Sequence, residues 1–241
     1  MRNMEEGIRI NKYLASCGVA SRRGADRLIG EGRVSIDGRT AQPGDIFREG
    51  SVVCVDGRNV SVQKKVVLAY YKPAGVLVSE EDPHAEETLM DLIDYPVRVT
   101  YAGRLDKESE GLLLLTNDGD LIHAMMHGSH GHEKEYIVHL NREPDNTVIE
   151  KLKGGVYLKE AGHKTRPCRI EKLKRNVVRM VLTEGINRQI RRMWSGEGYH
   201  VKALKRVRIM SISLGNLMPG EYSELTKEET DSLYRQAGLT R

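Results

Sequence analysis

The apolar positions of this chain fall in short unbroken blocks. Leu112 to Leu115 are consecutive leucines, and Val66 to Tyr71 are apolar throughout. Runs of that length predict strands covered on both faces. "KEYIVHL", "VVRMVLTEG" and "RVRIMSISLG" are further strand-like stretches, rich in Val, Ile and Leu. Between them, helical spacing predicts helices at 87–94, 119–127, 145–153 and 187–196. The last of these begins around Arg188, Arg191 and Arg192 and turns Ile190 and Met193 inward. Together the elements predict an α+β domain over residues 66–241, built on a long, mostly antiparallel mixed sheet flanked by helices.

Residues 8–57 carry a different pattern. "RINKYLASCGVASRRGADRLIGEGRVSIDGRTAQPGD" reads as two short helices and a hairpin. Asn11 and Ser21 are the expected N-caps, and Gly18 is the expected stop of the first helix. Asp-Gly between alternating residues marks the hairpin. Arg22, Arg23 and Arg27 cluster at the start of the second helix, where positive charge opposes the helix dipole. Such arginines are better explained as phosphate ligands than as solubilising charge. The pattern resembles the S4 RNA-binding module, which implies an RNA-binding domain at residues 1–57. Residues 58–65, "RNVSVQKK", are expected to be a linker.

Charge sharpens this picture. The net charge is only +4, but it is unevenly placed. Residues 1–65 carry 12 Lys+Arg against 8 Asp+Glu, residues 66–150 carry 6 against 17, and residues 151–241 carry 20 against 9. Two basic regions around an acidic one suit a polyanion laid along particular faces. Three widely spaced cysteines argue against a disulfide framework and suit a reducing cytoplasm. The apolar runs are too short to span a bilayer, and "MRNMEEGIRI" lacks a signal-peptide core.

Several chemistries lack their signatures: phosphate-binding loop, dinucleotide fingerprint, nucleophile elbow and paired C-x-x-C are all missing. His123, His127, His130 and His132 stand within ten residues. They lack the glutamate of a zinc-protease helix, and "HGSHGH" reads as a polar loop near RNA, so no metal site is expected. Asp106 is the more informative residue. It lies just ahead of the leucine run in "YAGRLDKESEGLLLLTNDG", where an unpaired charge entering a core would cost several kcal/mol. A lone aspartate there caps a turn or pairs with an arginine. Glu108 and Glu110 suggest a glycosidase-like carboxylate pair, but their spacing in a turn predicts solvated side chains.

The stretches "YYKPAGVLVS", "GRLDKESEGLLLLTNDG", "EKEYIV" and "EGINRQIRRM" resemble the ordered motifs of the RsuA family of rRNA pseudouridine synthases. The likeness covers almost the whole chain and is most like the RluF branch, which acts on 23S rRNA. It implies isomerisation of uridine to pseudouridine without a cofactor; the sequence shows no sign of an oligomer interface, so a monomer is the default expectation. Asp106 matches the catalytic nucleophile, Tyr136 the tyrosine that stacks on uracil, and Arg191 the arginine paired with the carboxylate. Arg104 matches the arginine that displaces the target base, Ile190 an apolar pocket residue, and Lys72 and Pro73 the element supporting the aspartate's loop. Arg188 and Arg192 are expected to contact RNA. Two other readings remain open: the same reaction on 16S rRNA or tRNA, and a non-catalytic RNA-binding assembly factor that kept the fold.

Overall fold

A computed structural model of the chain describes residues 7–79, 88–126 and 131–240. The chain divides into two compact units. One comprises the residues up to Val66 with Tyr95–Val99 and Asn117–Gly119; the other is Val67–Asp94, Thr100–Thr116 and Asp120–Arg241.

In the first unit, α1 (Ile10–Ser16) and α2 (Arg22–Gly30) pack beside strands β2 (Val34–Ile36), β3 (Arg39–Thr40), β5 (Val53–Val55) and β6 (Arg58–Asn59), which form a sheet in the order β3-β2-β5-β6. A further pair joins β1 (Ile8–Arg9) to β4 (Ile46–Phe47). Ile10, Leu14, Ala25, Ile29, Val34 and Val53 make the core. Ser21 caps α2 by accepting from Gly24 N at 3.1 Å. Asn11 is not a cap: Arg9 holds that position, and Asn11 lies inside α1 with its amide on Asp26 Oδ1 at 2.9 Å. The β1 pairing starts the helix two residues earlier than its polar side chains suggest.

The stretch expected as a linker is partly structured. A second Asp-Gly turn at Asp56 and Gly57, both at positive φ, folds Arg58–Asn59 back as β6. Gln63 N then donates to Ser16 O at 3.1 Å. Nor is the division between the units a single cut. Asn117 Oδ1 accepts from Val66 N and its amide donates to Lys64 O, both at 2.9 Å, while Lys65 pairs with Asp118 at 2.7 Å.

In the second unit the described strands are β7 (Val67–Lys72), β8 (Thr100–Tyr101), β9 (Glu110–Thr116), β10 (Lys134–Leu140), β11 (Tyr157–Leu158), β12 (His163–Lys164), β13 (Arg169–Lys174), β14 (Val177–Leu182), β15 (Val201–Ile209), β16 (Ile212–Ser213) and β17 (Tyr222–Glu224). Among the described residues the main sheet runs β13-β14-β10-β15-β9-β7-β17, with β8 on β9 and β16 on β15. Every pairing along it is antiparallel except β15 with β9, which is parallel and registers only Lys205 with Glu110 and Arg206 with Gly111. That short seam joins the two halves of the sheet.

Each half has its own core. On one, Leu112, Leu114, Val67, Ala69 and Tyr71 pack with residues of α3 (Gly119–Met126) and α6 (Lys227–Gln236). Leu113 and Leu115, on the opposite strand face, are also fully buried, so β9 is covered on both sides. On the other half, Val138, Leu140 and Met180 pack against α4 (Asn146–Lys153) and α5 (Gln189–Gly196), with Trp194 at the centre. The helix expected near 87–94 is a 3-10 turn at Leu89–Leu92, and residue 87 lies outside the described residues. Among the described residues, no helix is long and apolar enough to cross a membrane.

Candidate active site

The loop from Ala102 to Ser109 carries Asp106 to the edge of a cleft. Gly103, at φ +95°, opens it, and Ser109 N donates to Asp106 O at 3.0 Å to close a turn before β9 begins. The Asp106 side chain keeps 24 % of its surface exposed. The carboxylate therefore stays at the strand's mouth, while the leucines behind it are dry. The turn removes the conflict between charge and core that the linear sequence poses.

Two arginines reach that carboxylate from the start of α5. Arg191 Nε lies 3.8 Å from Asp106 Oδ2, and Arg188 Nη1 lies 4.0 Å from the same oxygen. Arg191 is anchored by donating to Val201 O at 3.1 Å and Ser109 Oγ at 3.2 Å, while its Nε is buried without a hydrogen-bond partner. The guanidinium is thus fixed a little beyond bonding distance, facing the carboxylate. Arg188 precedes the helix in the left-handed region at φ +53°, a conformation costly for a side chain outside glycine. Its Nη1 donates to Glu108 Oε1 at 2.6 Å. Glu108's own backbone amide, then Arg188, hold its carboxyl below the usual range. So Glu108 is exposed to solvent, as expected, and also ion-paired, while Glu110 begins β9.

Beneath the loop Lys72 is fully buried at the end of β7. Its Nζ donates to Pro73 O and Ser109 O, both at 2.7 Å, and to Lys107 O at 3.3 Å. Burial pushes this ammonium down to about 8, against the pull of Asp106, Glu108 and Glu110. A cation is being used as a three-way donor to tie the segments on either side of Asp106.

The cleft has a volume of about 780 Å³ and is lined by Arg104, Asp106, Tyr136, Arg188 and Ile190, among others. Tyr136 projects from β10, with Arg206 of β15 as its cross-strand partner. Arg104 is exposed at the rim, and Ile190 is buried in the wall. Pro73 lies behind Asp106 rather than in the lining. Arg192 points elsewhere, pairing with Glu160 at 3.2 Å and donating to Asn187 Oδ1. Arg22, Arg23 and Arg27 are exposed on α2 in the other unit. Of the histidines, His132 is buried with Nε2 on the Ala124 carbonyl at 3.2 Å and His123 is exposed; His127 and His130 lie outside the described residues.

Four positions escaped sequence reasoning. Ser109 orients Arg191, and nothing marks it in "KESEG". Arg206 is only 3 % exposed, yet within "KRVRIM" it looks like any solvated strand cation. Lys134 lines the same cleft. Gly111, at φ +107°, sits where any Cβ would press into the Arg206 backbone, with N at 2.8 Å and C at 3.0 Å. A glycine interrupting a leucine-rich strand was the available signal for that last one.

Residues 66–195 match the RNA pseudouridylate synthase family, and residues 8–53 match the S4 domain. The chain is 38 % identical over 234 residues to the dual-specificity RNA pseudouridine synthase RluF of Escherichia coli (strain K12), covering 96 % of this chain and 80 % of that protein. It is 38 % identical over 233 residues to an RNA pseudouridine synthase of Aquifex aeolicus (strain VF5), covering 95 % and 97 %. With the ribosomal large subunit pseudouridine synthase B of Xanthomonas campestris pv. campestris it shares 36 % identity over 248 residues, 96 % of this chain and 50 % of that one. A crystal structure of a pseudouridylate synthase superposes with a TM-score of 0.70 at 28 % identity, over 94 % of this chain and all of the other.

Proposed function

The chain belongs to the RNA pseudouridylate synthase family, and from that premise we propose that it converts uridine to pseudouridine in large-subunit (23S) ribosomal RNA with Asp106 as nucleophile. The reaction breaks the N1–C1′ bond, turns the uracil and rejoins it through C5. The C5 proton is lost and N1 gains one, so no redox change, metal or energy source is required. Asp106 assists by bonding to C1′ or by stabilising the charge that develops there. Tyr136 stacks on the uracil and assists loss of the C5 proton. Arg104 helps to hold the base out of its stack, which costs a few kcal/mol and least in a loop or bulge.

The observation that carries this reading is Asp106 in a cleft also lined by Arg188 and Tyr136, with Arg191 Nε at 3.8 Å and Arg188 Nη1 at 4.0 Å from its carboxylate. A carboxylate left partly exposed at the mouth of a cleft, beside two anchored guanidinium groups, is an arrangement a simple turn cap does not need. The large-subunit assignment draws on the RluF-like motifs and on the name of the Xanthomonas relative. Residues 1–57 then act as the S4 RNA-binding domain, through Arg22, Arg23 and Arg27, ahead of a catalytic domain at 66–241. The enzyme is a cytoplasmic monomer in this reading.

The test is Asp106→Asn, which preserves shape and removes the nucleophile. Pseudouridine formation, read as tritium released from C5 of labelled rRNA, should fall below detection. RNA affinity should stay within about tenfold, or ~1.4 kcal/mol. Turnover near the parent rate would make Asp106 a structural residue; a parent chain inactive on rRNA would favour the non-catalytic assembly factor.

A further inference from the structure

Two cations in the cleft have no carboxylate to answer them. Lys134 Nζ donates to His132 O at 3.2 Å, and neither it nor Arg206 has an ion pair among the described residues. Arg206 donates from Nε to Leu112 O at 2.7 Å and from Nη1 to Arg104 O at 3.4 Å, leaving Nη2 buried and unpartnered. Both residues flank Tyr136. Lys134 stands two residues before it on β10, hence on the same strand face, and Arg206 is its partner across the ladder. All three line the cleft that holds Asp106.

Like charges confined together raise each other's energy, and burial adds to the cost. Burial and then the Arg206 charge push the Lys134 ammonium down from its ordinary value. A buried guanidinium donor without a partner is also rare enough to need a reason. An anion entering between them would relieve both.

Resting on the assignment of Asp106 as nucleophile, we propose that Lys134 and Arg206 form a cationic pole that holds the uracil as an anion while it is detached from the ribose. When the N1–C1′ bond breaks heterolytically, its electron pair leaves with the ring, and the negative charge spreads over N1, O2 and O4. C1′ is left electron-poor and is compensated by Asp106. The ring, stacked on Tyr136, keeps its charge on donors from Lys134 and Arg206 while it turns. C5 then supplies the pair that forms the C5–C1′ bond, the C5 proton departs, N1 takes up a proton, and the anion is discharged. Fixed donors in a partly dry cleft act on such charge far more strongly than water does. The cleft thus has two poles: Asp106 for the sugar, and Lys134 with Arg206 for the base.

Arg206 also stitches the β9–β15 seam, so its truncation risks misfolding, and Lys134→Met is the primary variant, with Arg206→Lys as the second. The probe is an rRNA transcript carrying either uridine or 5-fluorouridine at the position the parent enzyme converts. Fluorine at C5 makes the detached base a more stable anion, so it depends less on the protein. 5-Fluorouridine has no C5 proton to lose, so its rejoined base keeps fluorine at C5 and takes up water across N1 and C6. Single-turnover consumption of the target nucleotide, followed by digestion and chromatography, should slow about 10²-fold for uridine in Lys134→Met. The slowing should be at least tenfold smaller for 5-fluorouridine, with RNA Kd unchanged within about threefold. Arg206→Lys should show the same ordering. Equal slowing of both substrates would overturn the proposal. So would a defect confined to Kd with a shallower salt slope, which would make the pair a ligand for backbone phosphate. Asp106→Asn run in parallel separates the failures: if it is dead on uridine while Lys134→Met shows no leaving-group dependence, only the pole is wrong.

Discussion

Replacing Lys72 by Met removes the donor that ties the Asp106 loop while keeping the volume of the buried stem. Of the three carbonyls on its Nζ, Lys107 O retains a second donor, Gly75 N at 2.7 Å. Pro73 O and Ser109 O, both at 2.7 Å from the ammonium, lose theirs. A carbonyl stranded in that way costs roughly 1–3 kcal/mol, so the two together cost about 2–6 kcal/mol. Against this, Met recovers the cost of burying a charge. The fall of the Lys72 pKa from 10.5 to about 8 corresponds to roughly 3 kcal/mol. The net change in stability is therefore small, from about 1 kcal/mol gained to about 3 kcal/mol lost by urea unfolding. Activity should behave differently. With the ties gone, Asp106 shifts relative to Arg191, and a displacement of about 1 Å is enough to slow chemistry by ~10²-fold. Tritium release at saturating RNA should show that loss in kcat, with affinity preserved. A Lys72→Met variant turning over within about threefold of the parent would refute the positioning role. A stability loss above about 5 kcal/mol would show that Lys72 serves the fold rather than the loop.

The same residue fixes a pH dependence. Its folded-state pKa lies below its unfolded one, so between about 8 and 10.5 the unfolded chain binds more protons and the Lys72 contribution to stability rises with pH. The stability of the parent minus that of Lys72→Met should therefore climb from pH 7.5 to 9.5, while parent kcat falls above about 8; a flat difference would refute this. Gly111→Ala should destabilise by more than ~3 kcal/mol in thermal or urea unfolding, because positive φ and the adjacent Arg206 backbone both oppose a Cβ. Wild-type stability would disprove the close seam. Changing Arg22, Arg23 and Arg27 together to Ala should leave the fold intact and flatten the salt dependence of RNA binding by up to about three charges' worth. An unchanged slope would exclude phosphate contacts.

What could be read from the sequence followed from local rules. The leucine block is a strand buried on both faces, Asp37-Gly38 makes its hairpin, and α3, α4 and α5 fall close to their expected positions. The misses have physical causes. β13, "RIEKLK", escaped because it is an edge strand with only Ile170 buried, so no apolar alternation advertises it. α6 escaped although Thr226 and Glu229 form a full capping box, since the apolar side chains behind it are sparse. At the site, motifs picked out Asp106, Arg191 and Tyr136, and Lys72 beneath the loop, but not the partners that hold Arg191 and the β9–β15 seam. Ser109 and Arg206 act through hydrogen bonds between segments 82 and 94 residues apart, which no local pattern encodes. Arg188 begins α5 outside helical geometry, and helical spacing alone would have put it on the helix.

The parallel seam between β9 and β15 also bears on how the protein is made. Asp106 is synthesised early, but its neighbours across the cleft are not. A growing chain that has reached residue 180 carries the carboxylate and Tyr136 on separate half-sheets, without Arg191, Arg206 or the strand that joins them. Parallel pairing over so long a separation is slow and forms late. Translation takes place on ribosomal RNA, the class of molecule proposed above as this chain's substrate. If Asp106 is the nucleophile, the cleft that serves it is complete only once residue 206 has emerged, so a chain ending near residue 180 should turn over no uridine.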